Sequence, residues 1–489
     1  MEEGPRGSRL WKHPVLEFRR GRRIIFTFDG NPIEAYEGET IAAALHAAGI
    51  RVLSRTRDGN PRGLFCAIGK CSSCLVTVDG IPNVRACMTL VREGMEVRSQ
   101  RGPGALNPAF RPRRSPTRRL EADVAIVGAG PAGLSAAVVL LEHGIRPLIL
   151  DESPRPGGQL IKQTHKFFGS RAEGAGTRGF SIAEDLLRAV GEATLLQGAQ
   201  VLGMYREDEG EFLVVALRGG ELLRINAPRI IVATGAMERF LLFPGNYLPG
   251  VYGAGAVQTL MNVYGIKPGK RALMVGAGNV GLIIAYQLLQ AGVEVAAVVE
   301  AMPEIGGYFV HAAKVRRFGV PILTRHTVVR ALGEKRVEGA VIAEVDENLS
   351  PIPGTEQVLS VDLICLAVGL IPSARLLEQA GARMAYVPEL GGRVPLHTPD
   401  METTLPGVYV AGDCAGIGEA STAMLEGRIA ALSVLASAGR DVAVEQERAR
   451  RALDEFRRGP FGERVRKGKE RVFSLAREAM GRWDSGRTG

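Results

Sequence analysis

Two short apolar runs, each followed by a glycine-rich turn and a periodic apolar segment, are the strongest pattern in this chain. The first run is Val124–Val127, and Leu134–His143 after it has the spacing of a helix. A further apolar run, Pro147–Leu150, follows this helix. Runs that are apolar at every position are typical of parallel strands buried on both faces. The pattern therefore predicts a βαβ unit in an α/β protein.

The turn in this unit has the glycine spacing of a dinucleotide-binding fingerprint. In Gly128-Ala-Gly130-Pro-Ala-Gly133, the first glycine permits a tight turn and the second lets the backbone approach a pyrophosphate. The third lets the helix pack on the strand, and the helix N-terminus faces the phosphates. Asp151 ends the second strand, where an acidic side chain binds a ribose hydroxyl. The predicted nucleotide-binding residues are Gly128, Gly130, Pro131, Ala132, Gly133, Asp151 and Glu152.

The second apolar run, Ala272–Val275, repeats this logic. It leads into Gly276-Ala-Gly278-Asn-Val-Gly281, a helix, and a strand that ends in Glu300. An acid at this place favours a free ribose 2′-hydroxyl over a 2′-phosphate, so we predict NAD or another adenine nucleotide rather than NADP. A nucleotide-binding fold that has lost its ligand is the alternative. The predicted residues are Gly276, Gly278, Asn279, Val280, Gly281 and Glu300.

Four of the six cysteines, Cys66, Cys71, Cys74 and Cys87, are clustered in the N-terminal part of the chain. Their spacing, C-x4-C-x2-C-x12-C, begins with the spacing of plant-type [2Fe–2S] proteins. Zinc ribbons use two C-x2–4-C pairs that lie far apart. We therefore predict that the four cysteines bind a [2Fe–2S] cluster. A zinc site and four reduced structural cysteines are the alternatives.

Composition and charge narrow the class of protein further. The chain has 489 residues and is 46% hydrophobic, which suits an α/β protein of several domains. No apolar run reaches the length of roughly 18 residues that a membrane span needs, and no signal peptide is indicated. We expect a cytoplasmic protein, with peripheral membrane association left open. The formal charge of +9 comes without a nucleic-acid-binding motif, so it favours an acidic partner subunit over nucleic acid.

The segments around the first fingerprint resemble the flavin-binding domains of the thioredoxin-reductase class. Gly157-Gly158-Gln159-Leu160 is similar to their GGQL element, and Ala233-Thr-Gly235 is similar to the end of one of their strands. Gly412-Asp413 resembles their GD motif, before a helix expected at Glu419-Ala420. Besides the first fingerprint, the resemblance implies FAD contacts from Gly158, Gln159, Ala233, Thr234, Gly235, Gly412, Asp413, Glu419 and Ala420.

The implied fold class is a two-dinucleotide-binding-domain α/β flavoprotein with an N-terminal plant-type ferredoxin-like β-grasp domain. That class carries a redox CxxC in its nicotinamide domain, whereas residues 236–370 contain only Cys365, so disulfide reduction is not expected. The predicted domains are a [2Fe–2S] domain at 1–100, a linker at 101–121, FAD-binding parts at 122–240 and 369–440, an inserted NAD-type domain at 241–368, and a basic helical tail at 441–489.

This domain order, together with the block 233–258, resembles the flavoprotein subunits of opine oxidases, hydrogen cyanide synthases and dye-linked proline dehydrogenases. It is also similar to the N-terminal half of the large subunit of heterotetrameric sarcosine oxidases. The resemblance implies that an amino-acid-oxidase-like flavoprotein partner oxidises an amine and passes the electrons to this chain. It also implies FMN at a subunit interface in several members, and NAD or ATP in the second pocket.

The predicted function is thus an electron-transfer flavoprotein subunit of a multi-subunit amine or amino-acid dehydrogenase or oxidase. No catalytic residue is predicted in this chain. A stand-alone NADH-dependent FAD/[2Fe–2S] reductase is the alternative. Many relatives have a second cysteine-rich module after the GD helix, which this chain lacks, so we expect one cluster. Two roles are open for the tail: it wraps a neighbouring subunit, or it is a solvated helical pair.

Overall fold

The computed structural model describes residues 8–105, 114–167, 174–191, 193–207, 211–459 and 462–484. The chain folds as two compact units, and each is assembled from two separate stretches of sequence. Unit 1 comprises Met1–Arg111 and Glu238–Gly369, and unit 2 comprises Pro112–Met237 and Leu370–Gly489.

The N-terminal part of unit 1 is a mixed sheet with one short helix. Its elements are β1 (Arg23–Phe28), β2 (Asn31–Tyr36), α1 (Ile41–Ala47), β3 (Ser54–Arg55), β4 (Pro61–Arg62), β5 (Leu75–Val78), β6 (Ile81–Arg85), β7 (Glu96–Arg98) and β8 (Gln100–Arg101). The main sheet has the order β2-β1-β7-β5-β6, with β1 and β2 as an antiparallel hairpin. Thr40 caps α1, because its hydroxyl accepts the N–H of Ala43 at 3.3 Å.

The first part of unit 2 contains the first fingerprint. Its elements are β9 (Thr117–Glu121), β10 (Ala125–Val127), α2 (Pro131–Glu142), β11 (Leu148–Asp151), α3 (Gly179–Ala189), β12 (Thr194–Gln197), β13 (Ala199–Arg206), β14 (Phe212–Arg218), β15 (Glu221–Ala227), β16 (Ile230–Val232) and β17 (Ala236–Glu238). Helix α2 begins three residues before the predicted apolar segment, because proline suits the first turn of a helix.

The predicted linker at 101–121 is partly wrong. Residues 106–113 lie outside the described residues. The segment Thr117–Glu121 forms β9, which pairs in parallel with β15 from Leu222↔Thr117 to Asn226↔Glu121. This strand extends the antiparallel sheet β13-β14-β15-β9 of unit 2.

The second part of unit 1 contains the second fingerprint. Its elements are β18 (Val251–Gly253), α4 (Ala254–Gln258), β19 (Arg271–Val275), α5 (Asn279–Gln290), β20 (Glu294–Glu300), α6 (Phe309–Arg317), β21 (Ile322–Thr324), β22 (His326–Leu332), β23 (Gly339–Glu344), β24 (Gln357–Leu359) and β25 (Leu363–Leu366). The parallel sheet has the order β18-β25-β19-β20-β21.

One apolar core joins the two parts of unit 1. It contains Phe26 and Leu45 from the N-terminal sheet and helix, together with Leu282 and Val298 from the nucleotide-type part. Beside it, His46 Nδ1 lies 2.8 Å from the carbonyl of Ala42, and its Nε2 lies 3.0 Å from the hydroxyl of Tyr252. Because a carbonyl only accepts, Nδ1 carries the proton and Nε2 accepts from tyrosine. The N-terminal sheet is therefore fixed on the nucleotide-type part.

The second part of unit 2 completes the first nucleotide fold and adds the tail. Its elements are β26 (Leu370–Pro372), α7 (Arg375–Gln379), β27 (Met384–Val387), β28 (Gly392–Pro395), β29 (Val408–Val410), α8 (Ala420–Ser437), α9 (Ala443–Arg457) and α10 (Glu463–Asp484). The central parallel sheet has the order β12-β11-β10-β16-β29. None of the helices in the described ranges has both the length and the apolar character to cross a membrane.

The tail helices α9 and α10 pack on their own unit. Val472 and Ala476 of α10 are buried in one cluster with Leu390 and Val394. The spacing of charged and apolar positions gives α10 one apolar face, and that face is covered by this chain. The tail is thus a helical pair with an inner face buried on unit 2 and an outer face exposed, and the two roles predicted for it stay predictions.

Candidate functional site

The four predicted iron ligands converge in the N-terminal part of unit 1. The Cys66 thiol is in hydrogen-bonding contact with the thiols of Cys71 and Cys87, and the Cys74 thiol is in contact with that of Cys87. The contacts run in a chain from Cys71 through Cys66 and Cys87 to Cys74, so all four sulfurs lie together. Two irons bridged by sulfide take two thiolates each, so the arrangement suits a two-iron cluster.

The loop that carries these cysteines is bent by residues with positive φ. Ala67 has φ 53°, Gly69 has φ 72° and Ser72 has φ 54°. As a result, backbone N–H groups point at the sulfurs: Ser73 N lies 3.4 Å from Cys71 Sγ. Such donors stabilise negatively charged sulfur. Three of the cysteines are buried, whereas Cys71 is partly exposed.

The thiols perturb one another strongly. Hydrogen bonds from Cys71 and Cys87 lower the pKa of Cys66 to about 2, and the same contact with Cys66 raises the pKa of Cys71.

The first glycine turn is shaped by close backbone approaches. A Cβ on Gly128, which has φ 111°, would lie 2.3 Å from the carbonyl oxygen of Ala233, and one on Gly133 would lie 1.9 Å from that of Gly128. By contrast, a Cβ on Gly130 would meet only Gly158 Cα, at 3.9 Å. Protein packing therefore requires Gly128 and Gly133, but it leaves bare backbone at Gly130. This open backbone at the N-terminus of α2 fits a bound pyrophosphate.

In each fingerprint, the acid at the end of the second strand accepts hydrogen bonds from the glycine turn and from the segment that follows the strand. Asp151 accepts the N–H of Ala129 at 2.6 Å and that of Ser153 at 2.7 Å. Glu300 does the same with Ala277 at 2.8 Å and with Met302 at 3.0 Å. A carboxylate oxygen has more than one lone pair, so both acids keep acceptor capacity for ribose hydroxyls.

A double glycine packs against the glycine turn of each nucleotide fold, and the sequence analysis missed the one in the second fold. Gly157-Gly158 follows Asp151, and Gly306-Gly307 stands at the same distance after Glu300. A Cβ on Gly307 would lie 2.8 Å from Asn279 N, and Asn279 Oδ1 accepts the N–H of Tyr308 at 2.7 Å. The repeated GG spacing was the available sequence signal.

The GD segment and α8 form the other side of the predicted FAD site. Helix α8 begins at Ala420 with Glu419 as its N-cap, where the sequence predicted the helix start. Asp413 accepts the N–H of Gly418 at 3.0 Å, and Gly412 N donates to Glu426 at 2.9 Å. Thr234 is fixed by its hydrogen bond to the carbonyl of Ser373, at 2.8 Å. Cys414 is a buried packing residue.

Burial raises the pKa of Asp413 from 3.8 to about 6. The folded protein therefore holds this proton more tightly than the unfolded chain does, and stability from this group falls as pH rises from about 4 to about 6. The loss is on the order of 3 kcal/mol. In flavin-free protein, we expect the D413N variant to lack this pH-dependent loss of stability. Denaturant unfolding of both proteins across this pH window measures the difference, and a difference that stays constant with pH contradicts the assignment.

Comparisons with known proteins give two family matches. The pyridine nucleotide-disulphide oxidoreductase family matches residues 122–427, and the 2Fe-2S iron-sulfur cluster binding domain matches residues 21–102. Helices α9 and α10 lie beyond both matches.

Individual relatives agree with these matches. The alpha chain of sarcosine oxidase from Corynebacterium sp. (strain P-1) is 28% identical over 87% of this chain and 45% of its own length. One of the opine oxidase subunits of Rhizobium meliloti (strain 1021) is 31% identical over 65% of this chain and 72% of its own length. L-proline dehydrogenase from P. horikoshii superimposes with a TM-score of 0.70 at 25% identity, over 90% of this chain and 79% of that chain.

The resemblance predicted from the motifs is thus confirmed, and so are the predicted fold class and the two principal cofactors. The chain spans about half the length of the sarcosine oxidase alpha chain that it matches. With a family match over more than half of its residues, the chain belongs to the pyridine nucleotide-disulphide oxidoreductase family, with FAD as its flavin and a [2Fe–2S] domain at its N-terminus.

Proposed function

We propose that this chain is the electron-transfer flavoprotein subunit of a multi-subunit amine or amino-acid dehydrogenase or oxidase. A partner protein related to amino-acid oxidases oxidises a secondary amine, such as a proline- or opine-like compound. The present chain takes up the electrons and relays them between FAD and the [2Fe–2S] cluster. The names of its relatives, which are subunits of sarcosine and opine oxidases, support this assignment.

The observation that carries the proposal is that the nucleotide-type part of unit 1 has no pair of cysteines able to form a redox disulfide. Its one thiol, Cys365, is fully buried in β25, where burial raises the thiol pKa well above its usual value. A buried, protonated, unpaired thiol cannot serve a dithiol–disulfide exchange. Beside it, the carbonyl of Phe65 in the cysteine loop accepts the N–H of Gly253 at 3.0 Å. In this proposal the cluster, bound by a loop that packs next to β18 of the same unit, carries the electrons instead of a disulfide.

In this proposal the predicted residues have separate tasks. Cys66, Cys71, Cys74 and Cys87 hold the cluster, which supplies single-electron transfer when bound. The first glycine turn and the loop at Asp413 hold FAD, which exchanges electrons in pairs or singly. The second turn, with Glu300, holds NAD or ATP. We further propose a cytoplasmic location, because free thiols and a thiolate-bound cluster suit a reducing compartment.

A second candidate is a stand-alone NADH-dependent reductase. It is favoured by the intact geometry of the second turn, where Gly276 has φ 104° and Glu300 binds the N–H of Ala277. In that case electrons enter from NADH and no oxidase-like partner is needed.

Anaerobic reduction of the purified chain separates the two candidates. We expect NADH alone to leave the flavin and cluster absorption unchanged on the timescale of turnover, and dithionite to bleach both. Addition of the oxidase-like partner and its amine should then bleach both without dithionite. Rapid bleaching by NADH alone would contradict the proposal.

The variant Gly278→Ala is the matched control for the route through the second pocket. A Cβ there meets no protein atom within 4 Å, so the fold should tolerate it while a bound pyrophosphate would not. We expect G278A to leave reduction by the amine and the partner unchanged. Loss of an NADH-driven reduction in this variant would instead identify the second pocket as the electron entry.

A further inference from the structure

A buried charged network links the C-terminal tail to the loop Gly412–Ala415. Glu426 on α8, Arg457 on α9 and Lys469 on α10 are each at most 7% exposed. Lys469 Nζ lies 2.8 Å from Glu426 Oε1, and Arg457 Nη2 forms an ion pair with the same oxygen. His397, fully buried, completes the network. Ionic groups removed from water in this way are costly unless every partner is in place.

The Lys469 ammonium has three donors, and the structure provides three acceptors. Besides Glu426, they are the carbonyl of Ala415 at 3.2 Å and His397 Nε2 at 3.3 Å. His397 Nδ1 lies 2.9 Å from the carbonyl of Pro395, so Nδ1 carries the proton and Nε2 is free to accept from lysine. Burial lowers the pKa of His397 to about 3, with the nearby Lys469 charge acting in the same direction. The histidine is therefore neutral and Lys469 is fully satisfied.

The network reaches both ends of the loop. Glu426 Oε2 accepts the N–H of Gly412, whereas Lys469 donates to the carbonyl of Ala415. Between these two residues lies Asp413, the residue that the motif places against the flavin. Arg457 and Lys469 bring two positive charges and Glu426 one negative charge, so loss of Lys469 changes the buried charge beside the loop by one.

We propose that Lys469 is a positioning residue for the FAD site. Through the carbonyl of Ala415 and through Glu426 it fixes the loop Gly412–Ala415, and its charge favours the negative charge that the flavin gains on reduction. The tail helix α10, which lies outside both family matches, is thus part of the flavin-binding apparatus of this chain. The assignment rests on FAD binding at this loop and does not depend on the electron donor.

The test compares four variants of the full-length holoprotein. Lys469→Met removes the charge and the three donors, and Lys469→Arg keeps the charge. Lys467→Met is the matched surface control, because Lys467 is exposed on the same helix and pairs only with Glu463 among the ion pairs found in the described ranges. Val472→Ala is the stability control, because it weakens the buried face of α10 without touching the network.

Two readouts are needed: FAD dissociation on dilution, followed by flavin fluorescence, and the midpoint potential of the bound flavin. We expect K469M to weaken FAD binding by about tenfold or more and to shift the potential in the negative direction. K469R should recover the potential, and K467M should match the parent protein. V472A should lower the melting temperature while leaving the potential unchanged.

Unaltered FAD affinity and potential in K469M would overturn the proposal. So would equal changes in K469M and V472A, because the effect would then be a general loss of stability. If K469M does not fold, Lys469→Gln, which keeps two donors without the charge, provides the same comparison. Neither readout uses the oxidase-like partner or an amine. A chain that binds FAD normally but takes no electrons from an amine contradicts the proposed function alone.

Discussion

Cys71→Ser should remove nearly all cluster iron and labile sulfide from the protein while FAD stays bound. Cys71 contacts Cys66, and a hydroxyl in its place is a much poorer iron ligand than a thiolate. The flavin should be retained, because the FAD-type fingerprint and the GD loop belong to unit 2, whereas all four clustered cysteines belong to unit 1. Iron and sulfide analysis, the electron paramagnetic resonance signal of the reduced protein, and flavin quantification measure the outcome.

Cys365→Ala is the matched control for this experiment. Cys365 is a buried cysteine of the same unit, in β25, and it is not one of the four clustered cysteines. Its substitution should leave the cluster content unchanged at a small cost in stability. Full cluster content in C71S would contradict the ligand assignment, and equal losses in both variants would mean that any cysteine change in unit 1 disturbs the fold.

Gly130→Ala should leave the fold intact and weaken FAD binding. Gly130 has φ −84°, which alanine adopts readily, and its new Cβ would meet only Gly158 Cα at 3.9 Å. The methyl group would occupy the place of closest approach to the pyrophosphate. An overpacked contact costs about 1–3 kcal/mol, which corresponds to roughly 5- to 150-fold in affinity. Circular dichroism and thermal unfolding check the fold, and flavin fluorescence measures the affinity.

Two other glycine variants serve as controls for this experiment. G278A, at the corresponding place in the second fingerprint, should bind FAD normally, because the same small change is made in the other nucleotide fold. G133A should damage the fold itself, because its Cβ would lie 1.9 Å from the carbonyl oxygen of Gly128. Wild-type FAD affinity in G130A would show that the pyrophosphate does not lie against this backbone.

Local patterns in the sequence were enough to predict both nucleotide folds and the cysteine loop. Each fingerprint depends on a short stretch in which strand, turn and helix follow one another, so the glycine spacing and the terminal acid report its geometry directly. In the structure Gly128 and Gly133 lie at close backbone approaches and Asp151 accepts a hydrogen bond from the turn, whereas their contacts with a nucleotide stay predictions. The convergence of Cys66 and Cys71 was predictable for the same reason, since a tight loop brings them together.

Contacts between residues far apart in sequence were not predictable. The helical spacing of α10 places Lys469, but not Lys467, on the same face as Val472 and Ala476, yet no local pattern indicates that Glu426 is its partner. This pairing arises because one face of the helix packs against Leu390 and Val394 and reaches the loop after Gly412. Likewise, the pairing of β9 with β15 depends on a strand edge that only the assembled sheet provides.

The sequence by itself thus determined the chemistry of this protein: two nucleotide folds and one cysteine site, each encoded within a few consecutive elements. Tertiary structure alone decided how these parts are supported. It fixed the N-terminal sheet and helix to the second nucleotide fold through His46 and Tyr252, and it brought the tail to the loop Gly412–Ala415 through Lys469. The physical reason is that a buried hydrogen bond or ion pair needs acceptors from several elements, and their meeting is set by packing rather than by any local pattern.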